Sequence, residues 1–253
     1  MLSKEKIENE LRILGIEPPR IVFYDETDST NTRAKEYARE NPENRQTVVF
    51  IADSQTGGRG RRGRSFVSRA GSGIYMSILT YPDSRGADAT ACTARAAVDT
   101  SRAIERLCDC RIGIKWVNDL YLGGKKLAGI LTEGEMGKDG KIAFQVVGMG
   151  INVYKYAISE EIKEIATSIE DQLGCAPDRS ALAAAIIYES LLGSDHFEEY
   201  KARSILIGSE VTVIKLTESY PARVLEINPD YSLKISRDGV VEDLFTGEVS
   251  LRI

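Results

Sequence analysis

Histidine and cysteine are scarce in this chain. Its 253 residues include one histidine, His196, and four cysteines, Cys92, Cys108, Cys110 and Cys175. Cys108 and Cys110 flank Asp109, too close to staple distant parts of the chain, and no spaced second pair completes a zinc set. The thiols read as reduced structural residues of a cytoplasmic protein. His196 lies in a polar stretch beside Phe197 and is expected at the surface, without a catalytic role. Long apolar runs are also missing. Nothing approaches the length that crosses a bilayer, and the first residues lack the charged-then-apolar layout of a secretion signal. Positive charge is not in excess: the net charge of −5 and pI near 5.2 argue against a dedicated nucleic-acid binder, which is ordinarily basic. G-x-x-x-x-G-K-[ST] does not occur, so a P-loop NTPase is not expected.

What is present is an ordinary globular composition, 42% hydrophobic and 28% charged, enough for one large domain and a small one. Against that acidic background stands Gly57-Gly58-Arg59-Gly60-Arg61-Arg62-Gly63-Arg64. Guanidinium forks suit phosphate and carboxylate, and glycine lets backbone N–H groups approach an anion. The segment predicts a phosphorylated ligand. By itself it fits a nucleotide-binding loop or an RGG-like RNA contact equally well.

Spacing predicts helices over Ser3–Leu14, from Ser29-Thr30-Asn31 to Ala38, over Ala87–Leu107, over Ile162–Leu173 with a break at Thr167-Ser168, and over Ser180–Ile207 interrupted at Gly193. Strands are predicted at Ile21–Tyr24, Thr47–Ala52, Ile74–Tyr81, Ile112–Trp116, Leu120–Leu122, Lys126–Glu133 and Ile142–Val153. The pattern is α+β: a mixed, mostly antiparallel sheet with helices on one face. After Gly208 the texture becomes short β runs at Val211–Leu216, Ala222–Ile227, Leu233–Ile235 and Val249–Ile253, so the boundary is set at 1–207 and 208–253.

Three further segments carry candidate chemistry. In Lys126-Leu127-Ala128-Gly129-Ile130-Leu131, alternation puts Lys126, Ala128 and Ile130 on one strand face and Leu127, Gly129 and Leu131 on the other. A lysine opening an apolar strand is either a snorkelling edge residue or a cation awaiting an anion. Lys115-Trp116-Val117-Asn118-Asp119 precedes it, and its Asn-Asp pair also suits a plain turn. Gly148-Met149-Gly150-Ile151-Asn152 ends a strand where glycine admits a ligand to the backbone.

Taken in order with Ser29-Thr30-Asn31, Gln55 and the terminal Thr246-Gly247-Glu248-Val249-Ser250-Leu251-Arg252, these segments resemble the biotin protein ligases from about residue 21 to 253. The resemblance implies a catalytic domain of the class II aminoacyl-tRNA synthetase-like type, joined to a C-terminal SH3-like β-barrel. It implies two substrates, biotin and ATP, with Mg2+, and an activated intermediate, biotinyl-5′-AMP. The acceptor would be a lysine on the biotin carboxyl carrier domain of acetyl-CoA carboxylase or pyruvate carboxylase. By position in the motifs, Lys126 bridges carboxylate and α-phosphate, while Arg59, Gly60 and Arg61 close over biotin and adenylate. Arg62 and Arg64 assist at the phosphates. Ser29, Thr30, Asn31, Gln55, Gly129 and Leu131 form the biotin slot.

Lys115 and Asn118 fall on the ATP side, with Asn118 at phosphate or magnesium and Asn152 beside adenine or ribose. Asp119 orients or deprotonates the attacking amine, or serves the metal. Trp116 either packs or touches ligand. Phe66 stands where the family has an adenine-stacking tryptophan, and Val117 replaces a proline. One short helix precedes the first strand, so a ligase without a DNA-binding module is expected, as monomer or homodimer, with neither DNA nor membrane as partner. A lipoate or octanoate protein ligase is the nearest alternative. An arginine-loop nucleic-acid module is the more distant one.

Overall fold

Two sheets organise the chain. The computed structural model describes residues 1–81, 88–193, 196–215, 218–245 and 250–252, without the side chains of Arg62 and of 250–252. The terminal-motif residues Thr246 to Val249 therefore lie outside the described residues, as does Ala87.

The larger sheet has seven strands: β1 (Arg20–Thr27), β2 (Val48–Gln55), β3 (Gly73–Thr80), β4 (Gly113–Lys115), β5 (Asp119–Leu122), β6 (Lys125–Met136) and β7 (Ile142–Asn152). Their spatial order is β1-β2-β3-β7-β6-β5-β4. Only β1 and β2 run parallel; every other pair is antiparallel. The sheet is thus mixed and mostly antiparallel, as the sequence predicts.

β2 and β3 are apolar with little alternation because both faces of the sheet are covered there. Val49, Ile51, Ile74 and Met76 enter the main core with α1 (Lys4–Ile13), α3 (Ala89–Leu107) and α5 (Arg179–Leu192). Val48, Phe50 and Leu79 point the other way, onto Ala34 and Ala38 of α2 (Thr30–Glu40). The expected helical layer is present on one face, and α2 departs from it by occupying the opposite face. Its alanines permit close approach, and its first turn delivers Thr30 and Asn31 to the sheet.

The helical spacing of Ile162–Leu173 overreaches. Only α4 (Ile169–Leu173) is helical, with Ser168 accepting from the Asp171 N–H at its start. Upstream, the Lys126 N–H donates to Ile165 O (3.0 Å) and the Thr167 N–H donates to Lys126 O (2.8 Å), so this stretch pairs with β6 instead. Ser180–Ile207 divides at Gly193 into α5 and α6 (Phe197–Arg203). His196 is buried, contrary to its polar context: Nε2 lies 2.6 Å from Asp99 Oδ1 on α3. Packing of α6 against α3 decides its environment, which its sequence neighbours do not reveal.

The second sheet comprises β8 (Glu210–Ile214), β9 (Ser219–Ile227), β10 (Leu233–Arg237), β11 (Val240–Leu244) and β12 (Ser250–Arg252), in the order β11-β10-β9-β8-β12, all antiparallel. Asp238 and Gly239 join β10 to β11 with φ of 50° and 84°, the left-handed pair a tight hairpin requires. Among the described residues no helix is long and apolar enough to cross a membrane.

Candidate active site

A cleft of about 490 Å³ opens on the α2 face of the larger sheet, a size usual for small-molecule sites. Glycine makes its floor. Gly129 pairs with Gly150, and Leu131 with Gly148, across β6 and β7. A Cβ at 148 would collide with Asn31 Oδ1, and one at 150 would sit 2.7 Å from the Phe66 ring. Glycine is required at both positions because Asn31 and Phe66 occupy the space a Cβ would fill.

At one end the start of α2 is locked in place. The Thr30 N–H donates to Gln55 Oε1 (2.8 Å), and Gln55 Nε2 donates to Ser68 Oγ (2.9 Å). Asn31 Nδ2 donates to Glu133 Oε2 (2.8 Å), while Ser77 Oγ donates to Asn31 Oδ1 (2.6 Å) and lies 2.7 Å from Thr30 Oγ1. Burial alone would raise the Glu133 carboxyl, but hydrogen bonds from Lys35 and Asn31 outweigh it and hold that carboxyl below its ordinary range.

The other end is cationic, and one hydrogen-bonded chain crosses it. Arg61 Nη1 donates to Asn118 Oδ1 (3.0 Å), Asn118 Nδ2 donates to Asp119 Oδ1 (3.0 Å), and Lys126 Nζ lies 2.7 Å from the same oxygen. Arg59 Nη2 donates to Thr32 Oγ1 (2.6 Å), which draws the arginine loop toward α2. Burial pushes the Lys115 ammonium down; Asp119 opposes this, and Lys126 and Arg64 add to it. Among the described lining side chains, Arg59, Arg61, Arg64, Lys115 and Lys126 face a single carboxylate, Asp119. Such an imbalance suits an anionic ligand.

The face assignment along β6 is corrected by a β-bulge. Tyr121 pairs with Lys126 and Leu120 with Ala128, which leaves Leu127 without a β5 partner. Leu127 and Ala128 are both buried in the core, while Lys126 and Gly129 share the cleft: a Cβ at 129 would lie 3.5 Å from Lys126 Nζ. Lys125 points away, its Nζ donating to Lys163 O (2.6 Å).

Every expected site residue with a described side chain lines this cleft except Asn152. Asn152 is buried, and its amide donates to Thr167 O (3.1 Å), because the segment pairing with Lys126 also crosses this end of β7. Trp116 lines the cleft with its body but donates its indole N–H to Tyr231 O (2.8 Å) in the second sheet, so it packs. Arg62 lies outside the described side chains. Sequence reasoning passed over Ser77, Glu133, Lys35 and Thr32. Of these only Ser77 leaves a local signal, a small polar residue between Met76 and Ile78 in a largely apolar strand.

Among the described residues no group of three or more His, Cys, Asp or Glu could hold a metal ion. Magnesium commonly takes one or two carboxylates plus substrate phosphates. Asn118 beside Asp119 fits an ion that arrives with a nucleotide.

Known proteins share this architecture. The chain is 28% identical over 246 residues to the bifunctional ligase/repressor BirA of Bacillus subtilis, covering 91% of this chain and 74% of that protein. It is 33% identical over 178 residues to the biotin–[acetyl-CoA-carboxylase] ligase of Mycobacterium tuberculosis, covering 66% of this chain and 64% of that protein. The biotin protein ligase of Aquifex aeolicus, solved in complex with biotin and ATP, superposes with a TM-score of 0.79 at 27% identity, over 92% of this chain and 98% of that one. The family model for biotin/lipoate A/B protein ligases matches residues 23–152, which hold the arginine loop, the glycine floor and the Lys126–Asp119 pair. With over half its length inside that match, the chain belongs to the biotin/lipoate A/B protein ligase family.

Proposed function

We propose that the chain is a biotin protein ligase, and one observation carries the reading. The linked groups Arg61, Asn118, Asp119 and Lys126 stand over a glycine-floored slot closed at its far end by Thr30 and Gln55. In the first step a biotin carboxylate oxygen attacks the α-phosphorus of ATP; an O–P bond forms, and pyrophosphate leaves. In the second, an acceptor lysine amine attacks the acyl carbon of biotinyl-5′-AMP; an amide forms, and AMP leaves. Asp119 is the carboxylate that receives the proton the amine sheds.

The first step joins two anions. Lys126, between carboxylate and α-phosphate, offsets their repulsion and the charge that builds at phosphorus. Arg59 and Arg61 close over the adenylate, and Arg64 serves the β- and γ-phosphates. Ser29, Thr30 and Gln55 meet the ureido head. Phe66, packed edge-on against Tyr75 with ring centroids 6.3 Å apart, offers its face to adenine. Asn118 and Asp119 would hold a Mg2+ brought with ATP, and the ion would supply neutralisation of the triphosphate charge. The acceptor is a lysine on the biotin carboxyl carrier domain of acetyl-CoA carboxylase or pyruvate carboxylase, met in the cytoplasm. The catalytic unit spans 1–207 and the β unit 208–253.

Pyrophosphate release with ATP and either biotin or lipoate, followed by mass spectrometry of a carrier domain, tests the assignment. Release with lipoate alone overturns it. Arg61→Gly is expected to release biotinyl-5′-AMP and label bystander lysines, since a guanidinium over the phosphate is lost. Labelling still confined to the carrier domain would remove Arg61 from the retention role.

A further inference from the structure

The hairpin formed by β4 and β5 carries Lys115, Trp116, Asn118 and Asp119, yet it is the edge of its sheet. Asp119 pairs with Gly129 on the cleft side. On the far side the hairpin is held by groups from outside the sheet. The Ile205 N–H donates to Ile114 O (3.0 Å), Tyr200 OH donates to Val117 O (3.0 Å), and the Trp116 indole donates to Tyr231 O (2.8 Å).

Tyr231 belongs to the turn between β9 and β10, where its N–H donates to Asn228 O (2.8 Å). Its φ is 62°, a conformation an aromatic residue seldom adopts unless its surroundings over-determine it. Here they do. The turn aims the carbonyl at Trp116, and the ring packs edge-on against Tyr200 (5.4 Å, 80°) and Phe197 (5.5 Å, 81°) of α6. Trp116, Tyr200 and Tyr231 are all buried in one continuous core that spans both sheets.

We infer that Tyr231 is a positioning residue for the ligase reaction: acting through Trp116, the second sheet sets where Asn118 and Asp119 stand relative to Lys126. The inference rests on the function proposed above. Its basis is geometric. Trp116 lies two residues from Asn118 and three from Asp119, and both belong to the chain that links Arg61 to Lys126. A displacement of about 1 Å at such groups can cost on the order of 100-fold in rate.

Trp116 is the sole tryptophan, so intrinsic fluorescence reports this contact directly. Tyr231→Gly keeps the left-handed turn and the carbonyl but removes the ring. We expect kcat for biotin-dependent pyrophosphate release to fall roughly 10- to 100-fold, with KM for biotin unchanged and the tryptophan emission shifted to the red. Tyr231→Phe keeps ring and carbonyl and should restore both readings. Trp116→Phe, which deletes the indole donor, should lower kcat similarly, and the double variant should lose no more than the worse single one. Wild-type kcat in Tyr231→Gly overturns the inference. If that variant does not fold, wild-type kcat in Trp116→Phe overturns it equally. A wild-type protein that releases no pyrophosphate with biotin instead sinks the functional reading, and this inference with it.

Discussion

Alanine at position 126 should lower biotin-dependent pyrophosphate release by about 10²- to 10³-fold, while the thermal transition stays close to wild type. The rate loss follows from the chemistry. A carboxylate must approach a polyphosphate, and Lys126 is the cation at the junction of the arginine-loop chain and the glycine floor. The preserved stability follows from exposure. The Lys126 and Asp119 side chains are 35% and 23% accessible, and an ion pair in that setting contributes little to folding. Asp119 keeps the Asn118 amide as donor when the lysine is gone. The adjacent Lys125→Ala provides the control: its amine binds a backbone carbonyl outside the cleft, so its rate should match wild type. Equal loss in both variants, or none in Lys126→Ala, would falsify the catalytic assignment of Lys126.

Residue types were legible where the chemistry itself demands them. Arginines on glycine at 57–64, a lysine opening an apolar strand, and glycines at 129, 148 and 150 each carry a local signature, and the structure gathers Arg59, Arg61, Arg64, Lys126 and those three glycines in one cleft. The sheet could be outlined for a similar reason, since β2 opens on an unbroken apolar run at 48–52, β3 is largely apolar, and the later strands are bounded by turn residues. What escaped depends on partners far away in the chain. The bulge at Leu127 is a property of β5–β6 register and has no signature inside Lys126–Leu131. It reverses which residues share a face with Lys126. Asn152 looked like a ligand contact because glycines precede it, yet its amide is taken by Thr167. His196 looked exposed because its neighbours are polar, but Asp99 lies 97 positions earlier. Trp116 was ambiguous until Tyr231, 115 positions later, claimed its indole N–H. Local pattern reveals which groups could do chemistry; long-range packing decides which of them face the ligand.

Gly148→Val should raise KM for biotin about 10- to 100-fold while leaving KM for ATP near wild type. Position 148 lies under Asn31: an added Cβ would overlap Oδ1 and lie 2.8 Å from Cγ and 2.9 Å from Nδ2. Asn31 cannot step aside freely. Its amide donates to Glu133 Oε2 (2.8 Å), its oxygen accepts from Ser77 (2.6 Å), and the residue is buried. Swinging it away gives up both bonds and strips the buried Asn31 amide of these partners, at a cost of about 1–3 kcal/mol, and each 1.4 kcal/mol corresponds to about a tenfold change in affinity. Moving α2 instead displaces Thr30 from Gln55, which deforms the same end of the slot. The nucleotide side is spared, because the Arg61–Lys126 chain lies against Gly129 rather than Gly148. Gly134→Ala, on the same β6 strand but with no neighbour nearer than 3.7 Å, should leave both constants unchanged. Steady-state kinetics in each substrate separates the cases: a Gly148→Val enzyme impaired for ATP but not for biotin would mean that the slot runs in the opposite direction across the floor.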